Sequence, residues 1–439
     1  MKKKLNRIDI LSLTLGSIIG WGAFTLPGSK FLPESGIIST AIGFILGGLA
    51  IVFIQEGYHV MLENHHEDGG EFSYTYKNMG RVHGFIVGWS LTLCYISMVP
   101  LNATAFVLVL RKLFGTKMDV IYLYHIAGEP VYLSNIFFAA LIIVIFSYIN
   151  IKGLRPSSRI QNSMIFLMVI NVIIIFVILY RKTDTSLIMN TYINSYKFNI
   201  MEVAKVFAII PFLFIGFDVI PQVSTELNFK PSKATSIAIL SIVLGVVFYN
   251  LLNLITGLVY TPQQAISEEW ALGSAVLENI GYFGFLLLIL SLLGAVSGGI
   301  NGFLLGSSKL IGSLSGYRLI PSKYNKKNKN GVFENGVKFV AIISFIAPWF
   351  GRKVILYIVE ISSLFAAIAY CYVCYIVARH SKGMYRYFSM IGTFISLLFI
   401  VLLIMPSSPA KLSKPSFVLM ILWTLMGCFY YNKYAKRIG

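Results

Sequence analysis

The chain has 439 residues, of which 56% are hydrophobic and only 12% charged. A soluble domain carries about 25% charged residues, so this composition excludes a disordered chain, a coiled coil and an ordinary cytosolic enzyme. The net charge of +18 lies in loops between apolar runs, which points to basic loops on one side of a membrane rather than to nucleic acid.

The start, MKKKLNRIDILSLTLG, is basic but no small-residue cleavage site follows it. We therefore expect a retained first span and no removed leader. Apolar runs of roughly 15 to 30 residues predict twelve spans, at 8–31, 37–62, 80–111, 131–151, 158–180, 201–226, 234–260, 279–309, 337–350, 354–379, 386–406 and 415–432. The run at 337–350 is short and ends in Pro348-Trp349, which fits a tilted or half-length helix. An even number of spans puts both termini on one side. Lys and Arg favour that side two to one, and KYNKKNKNG at 323–331 is its strongest marker, so both termini are expected in the cytoplasm. No linker separates domains. Cys94, Cys371, Cys374 and Cys428 all lie inside apolar runs. The Cys371/Cys374 CxxC has no second pair and predicts no metal or redox site.

Two spans look broken. The first contains GSIIGWGAFTLPG, with Gly16, Gly20 and Gly22 crowding two turns and Pro27 following. Glycine costs about 1 kcal/mol in a helix interior, and loosened backbone survives in a bilayer only where protein or a watery cavity satisfies it. Gly16-x-x-x-Gly20 also fits simple close packing of helices. The sixth span repeats the oddity: AIIPFLFIGFDVIPQ puts Pro211, Gly216, Asp218 and Pro221 within eleven residues. A carboxylate in mid-membrane normally faces a cavity or a partner. Ile19-Gly20-Trp21-Gly22 matches Ile215-Gly216-Phe217-Asp218, and paired interruptions in two halves point to a transporter site. An unwound segment offers free N–H groups to a carboxylate and free C=O groups to an ammonium. The ligand expected on these grounds is an α-amino acid.

With these motifs in place, the sequence resembles the amino acid–polyamine–organocation (APC) superfamily, whose members have a LeuT-type fold. Gly20-Trp21-Gly22-Ala23-Phe24 is similar to its first-helix motif. Gly69-Gly70-Glu71-Phe72-Ser73-Tyr74 followed by Gly84-Phe85-Ile86-Val87-Gly88-Trp89 resembles the entry to helix three, and Asn150-Ile151-Lys152-Gly153 the turn between helices four and five. Ile215-Gly216-Phe217-Asp218 with Glu226 and Pro231 resembles helix six and its exit, and Ser308-Lys309 through Leu319-Ile320-Pro321 the stretch after helix eight. The resemblance implies an all-α membrane protein with a 5+5 inverted repeat at 1–380, broken helices one and six, and two further helices at 381–439. It also implies secondary active transport of amino acids or related amines across the cell membrane by alternating access, with an exchanger or a nutrient sensor of the same fold as alternatives.

Carried over by position, the resemblance assigns roles. The carbonyls of Ile18 and Ile215 accept from the ammonium, and the amides of Trp21 and Gly22 bind the carboxylate. Ile19, Gly20, Gly216 and Phe217 complete the two interruptions. Phe212 takes the place of an aromatic lid and Phe303 of a second gate, while Val99 and Asn102 face the side-chain pocket. Asp218 and Glu226 are coupling or gating candidates. Some proton-coupled relatives carry a Lys in helix five, where this chain has Met168; Ser291 and Ser297 leave a sodium site open. The coupling ion is thus a proton or sodium, with no other cofactor expected. Trp21 replaces a small residue, so either the substrate is small or Trp21 points away. The remaining intramembrane acids, Glu56 and Glu360, are proton carriers or, by preference, structurally paired. No nucleophile with a base, metal cluster or phosphate loop predicts an enzyme.

Overall fold

An apolar run in a bilayer must satisfy its own peptide groups, and this chain does so with helices. The computed structural model describes residues 4–435. Asn6 and Asp9 start the first helix with a reciprocal cap, each side chain accepting the other's backbone N–H at 2.9 Å. The helices are α1 (Arg7–Ile18), α2 (Trp21–Leu26), α3 (Ile38–Asn64), α4 (Gly70–Met79), α5 (Arg81–Phe114), α6 (Leu133–Ile151), α7 (Leu154–Lys182) and α8 (Ile200–Ala208). They continue as α9 (Ala234–Gly257), α10 (Ala271–Ile280), α11 (Tyr282–Gly316), α12 (Glu334–Ile346), α13 (Gly351–His380), α14 (Gly383–Ile404) and α15 (Lys414–Tyr430).

The protein is an all-α membrane protein, but length and composition do not reach the expected twelve spans. Among the described residues eight helical stretches are long and apolar enough to cross, or nine if the bent pair Arg7–Ile18 and Trp21–Ser35 counts as one. The run at 201–226 breaks into pieces. The runs at 337–350 and 354–379 belong to one stretch, Glu334–His380, interrupted by a 3-10 turn at Ala347–Phe350 and by Gly351 at φ +75. The last run forms α15, whose 17 α-helical residues pass directly into a π-helical turn at Tyr431–Ala435; the α-helical part alone spans about 26 Å against a hydrocarbon core of about 30 Å. A second departure is a hairpin between α5 and α6: β1 (Tyr122–Ile126) pairs antiparallel with β2 (Glu129–Tyr132).

The bundle is organised around α11, which is buried along most of its 35 residues. It packs against α1, α5 and α7. Small residues allow this approach: a Cβ on Gly298 would lie 3.0 Å from the Cα of Gly16. Gly16 is therefore a packing glycine, as the small-xxx-small pattern allows. Outward faces carry Ile45, Phe137, Phe166 and Phe394, all exposed and suited to lipid. The chain's start is tied to the segment after the sixth interruption, for Leu5 N–H donates to Glu226 O at 2.8 Å and Asn228 N–H to Leu5 O at 3.0 Å.

Candidate functional site

Both interruptions exist in the backbone. Ile19 N–H still bonds to Leu15 O at 2.8 Å, but Gly20 is extended (φ −103, ψ −162) and the helix resumes at Trp21, bent by 48°. In the sixth span, single helical turns at Ile210–Leu213 and Val219–Gln222 flank a non-helical stretch at 214–218. Gly216 has φ +128, and a Cβ there would fall 2.5 Å from Ser17 Cβ and 2.7 Å from the Ser17 carbonyl carbon. Only glycine lets this stretch lie against the last turn of α1. Asp218 braces it: its Oδ1 accepts the Gly216 N–H at 2.8 Å, and Tyr95 Oη donates to the Asp218 carbonyl at 3.1 Å.

Where the interruptions cross, a cavity of about 30 Å³ opens, bounded by Ile18, Gly20, Trp21, Gly22, Asn102, Phe212, Ile215 and Phe303. Its polar groups have spare capacity. Asn102 Nδ2 donates to Met98 O at 2.9 Å, while its buried Oδ1 has no partner. Among the described residues the Ile215 carbonyl accepts no hydrogen bond. The Trp21 and Gly22 amides open a helical turn and have no carbonyl one turn before them. Acceptors on one side and donors on the other suit a zwitterion. The volume is far below the roughly 300 Å³ at which small-molecule sites begin, so admitting a ligand of amino-acid size requires the Phe212 and Phe303 rings or the segments themselves to move.

Four expected site residues lie elsewhere. Ile19 is sealed in the core. Gly216 is taken up by its contact with α1. Phe217 packs on Tyr58 and Tyr370, ring centroids 5.3 and 5.1 Å away. Val99 is fully buried off the cavity, because Met98, Leu101 and Asn102 form the cavity face of α5 and Val99 sits about 100° round the helix from Met98. Tyr249 was not anticipated. Its hydroxyl donates to Ile18 O at 3.2 Å, taking one lone pair of a carbonyl assigned to the ligand.

The coupling candidates separate. Glu226 accepts from Lys309 at 2.6 Å, and Lys309 also reaches Asp68 at 3.4 Å, with Lys327 on the other Asp68 oxygen at 3.0 Å. Lys309 is 3% exposed, so water screens its attraction to these carboxylates little. Burial pushes the Asp68 carboxyl up, but Lys309, Thr225 and Lys327 outweigh it and hold it below the usual carboxylate range. This cluster closes one end of the bundle. Lys309 and Asp68 carried no signal as a pair, being 241 positions apart. Glu360 has partners, as preferred for it: its Oε2 accepts Ser413 N–H at 3.0 Å and Ser416 Oγ–H at 2.6 Å, capping α15. Glu56 is half-buried, and among the described residues it has no ion pair or hydrogen bond, against the pairing expected of it. Ser291 bonds back to Leu287 O at 2.8 Å. Ser297 is buried and, among the described residues, its hydroxyl makes no hydrogen bond. Met168 packs over Gly294. The polar bridge from α7 is instead Gln161, whose Nε2 donates to Ser12 O at 3.0 Å and Gly298 O at 3.4 Å, joining α1 to α11.

Comparison with known proteins gives the chain a family. A family profile described as amino acid permease matches residues 5–426. The chain is 28% identical over 248 residues to a methylthioribose transporter of Bacillus subtilis, covering 55% of this chain and 51% of that one. It is 25% identical over 246 residues to the branched-chain amino acid permease BcaP of the same organism, covering 53% and 50%. It is also 25% identical over 305 residues to a putative arginine/ornithine antiporter of Escherichia coli, covering 68% and 64%. These matches span about half to two thirds of the relatives' own lengths. With a family match across nearly its whole length, the chain belongs to the amino acid permease family.

Proposed function

We propose that the protein is a secondary transporter that carries amino acids or related amines across the cell membrane by alternating access. The observation that supports this most is the crossing of two broken segments at a cavity with unpaired acceptors on one side and free amides on the other. In this reading the ammonium binds Ile215 O and Asn102 Oδ1, and the carboxylate binds the Trp21 and Gly22 amides. Phe212 and Phe303 are the rings that part to admit the substrate. The segments around Gly20 and Gly216 move together, as their contact at Ser17 and the Leu5 tie both favour. Residues 1–380 form an inverted-repeat core, and 381–439 add two helices.

The Lys309 cluster closes the route to the cytoplasm. Arg81 and Arg318 at the same end support an inward orientation of that end and of both termini. Energy comes from a proton gradient, a sodium gradient or exchange.

Proteoliposomes test the reading. Saturable uptake or counterflow of one or more labelled amino acids is expected, and imposing each gradient in turn identifies the coupling. Tight binding without flux would make the protein a sensor instead. Gly20→Leu places a side chain in the cavity, where even a Cβ comes within 3.3 Å of Asn102 Oδ1. It should lower affinity at the central site at least about a hundredfold, roughly 2.7 kcal/mol, while the protein still folds. Unchanged affinity would remove the broken first helix from the site.

A further inference from the structure

A second, larger cavity of about 420 Å³ lies beyond Trp21, toward the end of α5 opposite the Lys309 cluster. Helix α5 runs from Arg81, bonded to Arg318 O, past Asn102 to Arg111 beside this cavity. The volume falls in the range of about 300 to 1,000 Å³ typical of small-molecule sites. Trp21 borders both cavities and forms the partition between them. The guanidinium of Arg352, at the start of α13, lies 4.3 Å from the centre of the Trp21 ring and clamps it by cation–π attraction. One edge of that guanidinium is used: Nη1 donates to Leu101 O at 3.0 Å and Thr104 Oγ at 2.6 Å. The other edge, Nη2, has no partner. An unpaired guanidinium nitrogen out of water is costly and calls for an acceptor.

The opposite charge stands in the same cavity. Glu129, on β2, lines it together with Arg352. Among the described residues, however, Glu129 makes no ion pair or side-chain hydrogen bond. Asn135 adds a carbonyl oxygen without a partner. The hairpin that carries Glu129 is held to the start of α13, because Tyr124 Oη donates to Trp349 O and Ile126 packs against Gly351. An unpaired cation and an unpaired anion are thus fixed across a chamber of ligand size.

We propose that this chamber is a separate amino acid-binding station, in which Arg352 takes the carboxylate, Glu129 and Asn135 take the ammonium, and Trp21 is the floor. A carboxylate on Arg352 competes with the Trp21 ring for the guanidinium, so occupancy of the outer station loosens the partition to the inner one. The station rests on the transport reading above, and its failure is separable from the failure of that reading.

The test is equilibrium binding of each of the twenty proteinogenic L-amino acids, radiolabelled, to the purified full-length chain in lipid nanodiscs. Wild type is expected to bind at two sites. Gly20→Leu should keep only the weaker one, and Glu129→Gln or Arg352→Gln in that background should weaken it at least tenfold. Decarboxylated analogues of the bound amino acids should lose the weaker site to the same extent. Glu129 sits on a surface hairpin, so Glu129→Gln reads the station even where Arg352→Gln does not fold. A single wild-type site that vanishes in Gly20→Leu, or a residual site indifferent to Glu129→Gln, overturns the station and leaves the transport reading intact. A wild-type chain that binds none of the twenty overturns the station and confines the transport reading to related amines.

Discussion

Gly216 and Asp218 show how a single position can carry a backbone conformation. Gly216→Ala adds one carbon where Ser17 and Ile18 already stand, at a φ that disfavours a side chain. Strain of about 1–3 kcal/mol and overpacking of a similar size should lower the melting temperature clearly in a thermal scan. A wild-type melting curve would mean that the sixth segment is not pinned to α1. Asp218→Asn is a different experiment, because the amide oxygen can still accept the Gly216 N–H. Stability should hold while the pH dependence of uptake changes; a profile identical to wild type would make Asp218 a backbone brace only. Both glycines were legible in the sequence, since glycine and proline crowding reports on backbone. Asn102 was legible through the resemblance. Gln161, Tyr249 and Glu129 were not, because a polar residue in an apolar run looks the same whether it faces a ligand, a partner helix or its own turn.

At the scale of elements, the end of α3 shows how burial sets a titration. His65 follows the helix, is buried, and lies 2.6 Å from Ser73 Oγ through Nε2. Burial lowers its pKa from 6.5 to about 4, with smaller opposing and supporting effects from Glu67 and Lys77. The folded chain therefore resists a proton that the unfolded chain accepts near pH 6.5. Its stabilising effect is complete above that value and is lost as pH falls toward about 4, by at most about 3 kcal/mol. Melting at about pH 7.5 and about pH 4.5 should show a smaller acid-induced drop in His65→Asn than in wild type; equal drops would exclude His65 as a source. The helices themselves were largely legible, because a run of apolar residues in lipid has few structural options. Their ends and count were less so. Whether a run such as 201–226 stays whole depends on what it crosses, and α15 begins where a carboxylate from α13 caps it.

For the whole molecule, the Lys309 cluster joins α11, the segment after the sixth interruption and the loop before α4. Lys309→Met removes the central cation and leaves Asp68 and Glu226 facing each other. Breaking a buried pair in this way costs about 3–5 kcal/mol. In melting experiments, the double variant with Glu226→Gln should be less destabilised than the sum of the two single variants, by about 1 kcal/mol or more. Simple additivity would mean that the two residues act apart. The Lys309 cluster lies toward the Arg81 end of α5, and the Trp21–Arg352 partition, beside Leu101 and Thr104, lies on the other side of the central cavity; in the transport reading proposed above, substrate passes both.

The tie between Leu5 and Leu227 also constrains biogenesis. Leu5 leaves the ribosome 222 residues before its partner, a delay of roughly 10 to 45 s at ordinary elongation rates. For most of that interval the bent middle of the first crossing lacks its contact with Gly216, which is translated only 11 residues before Leu227. The first segment therefore reaches its final register only once about half of the chain has been made.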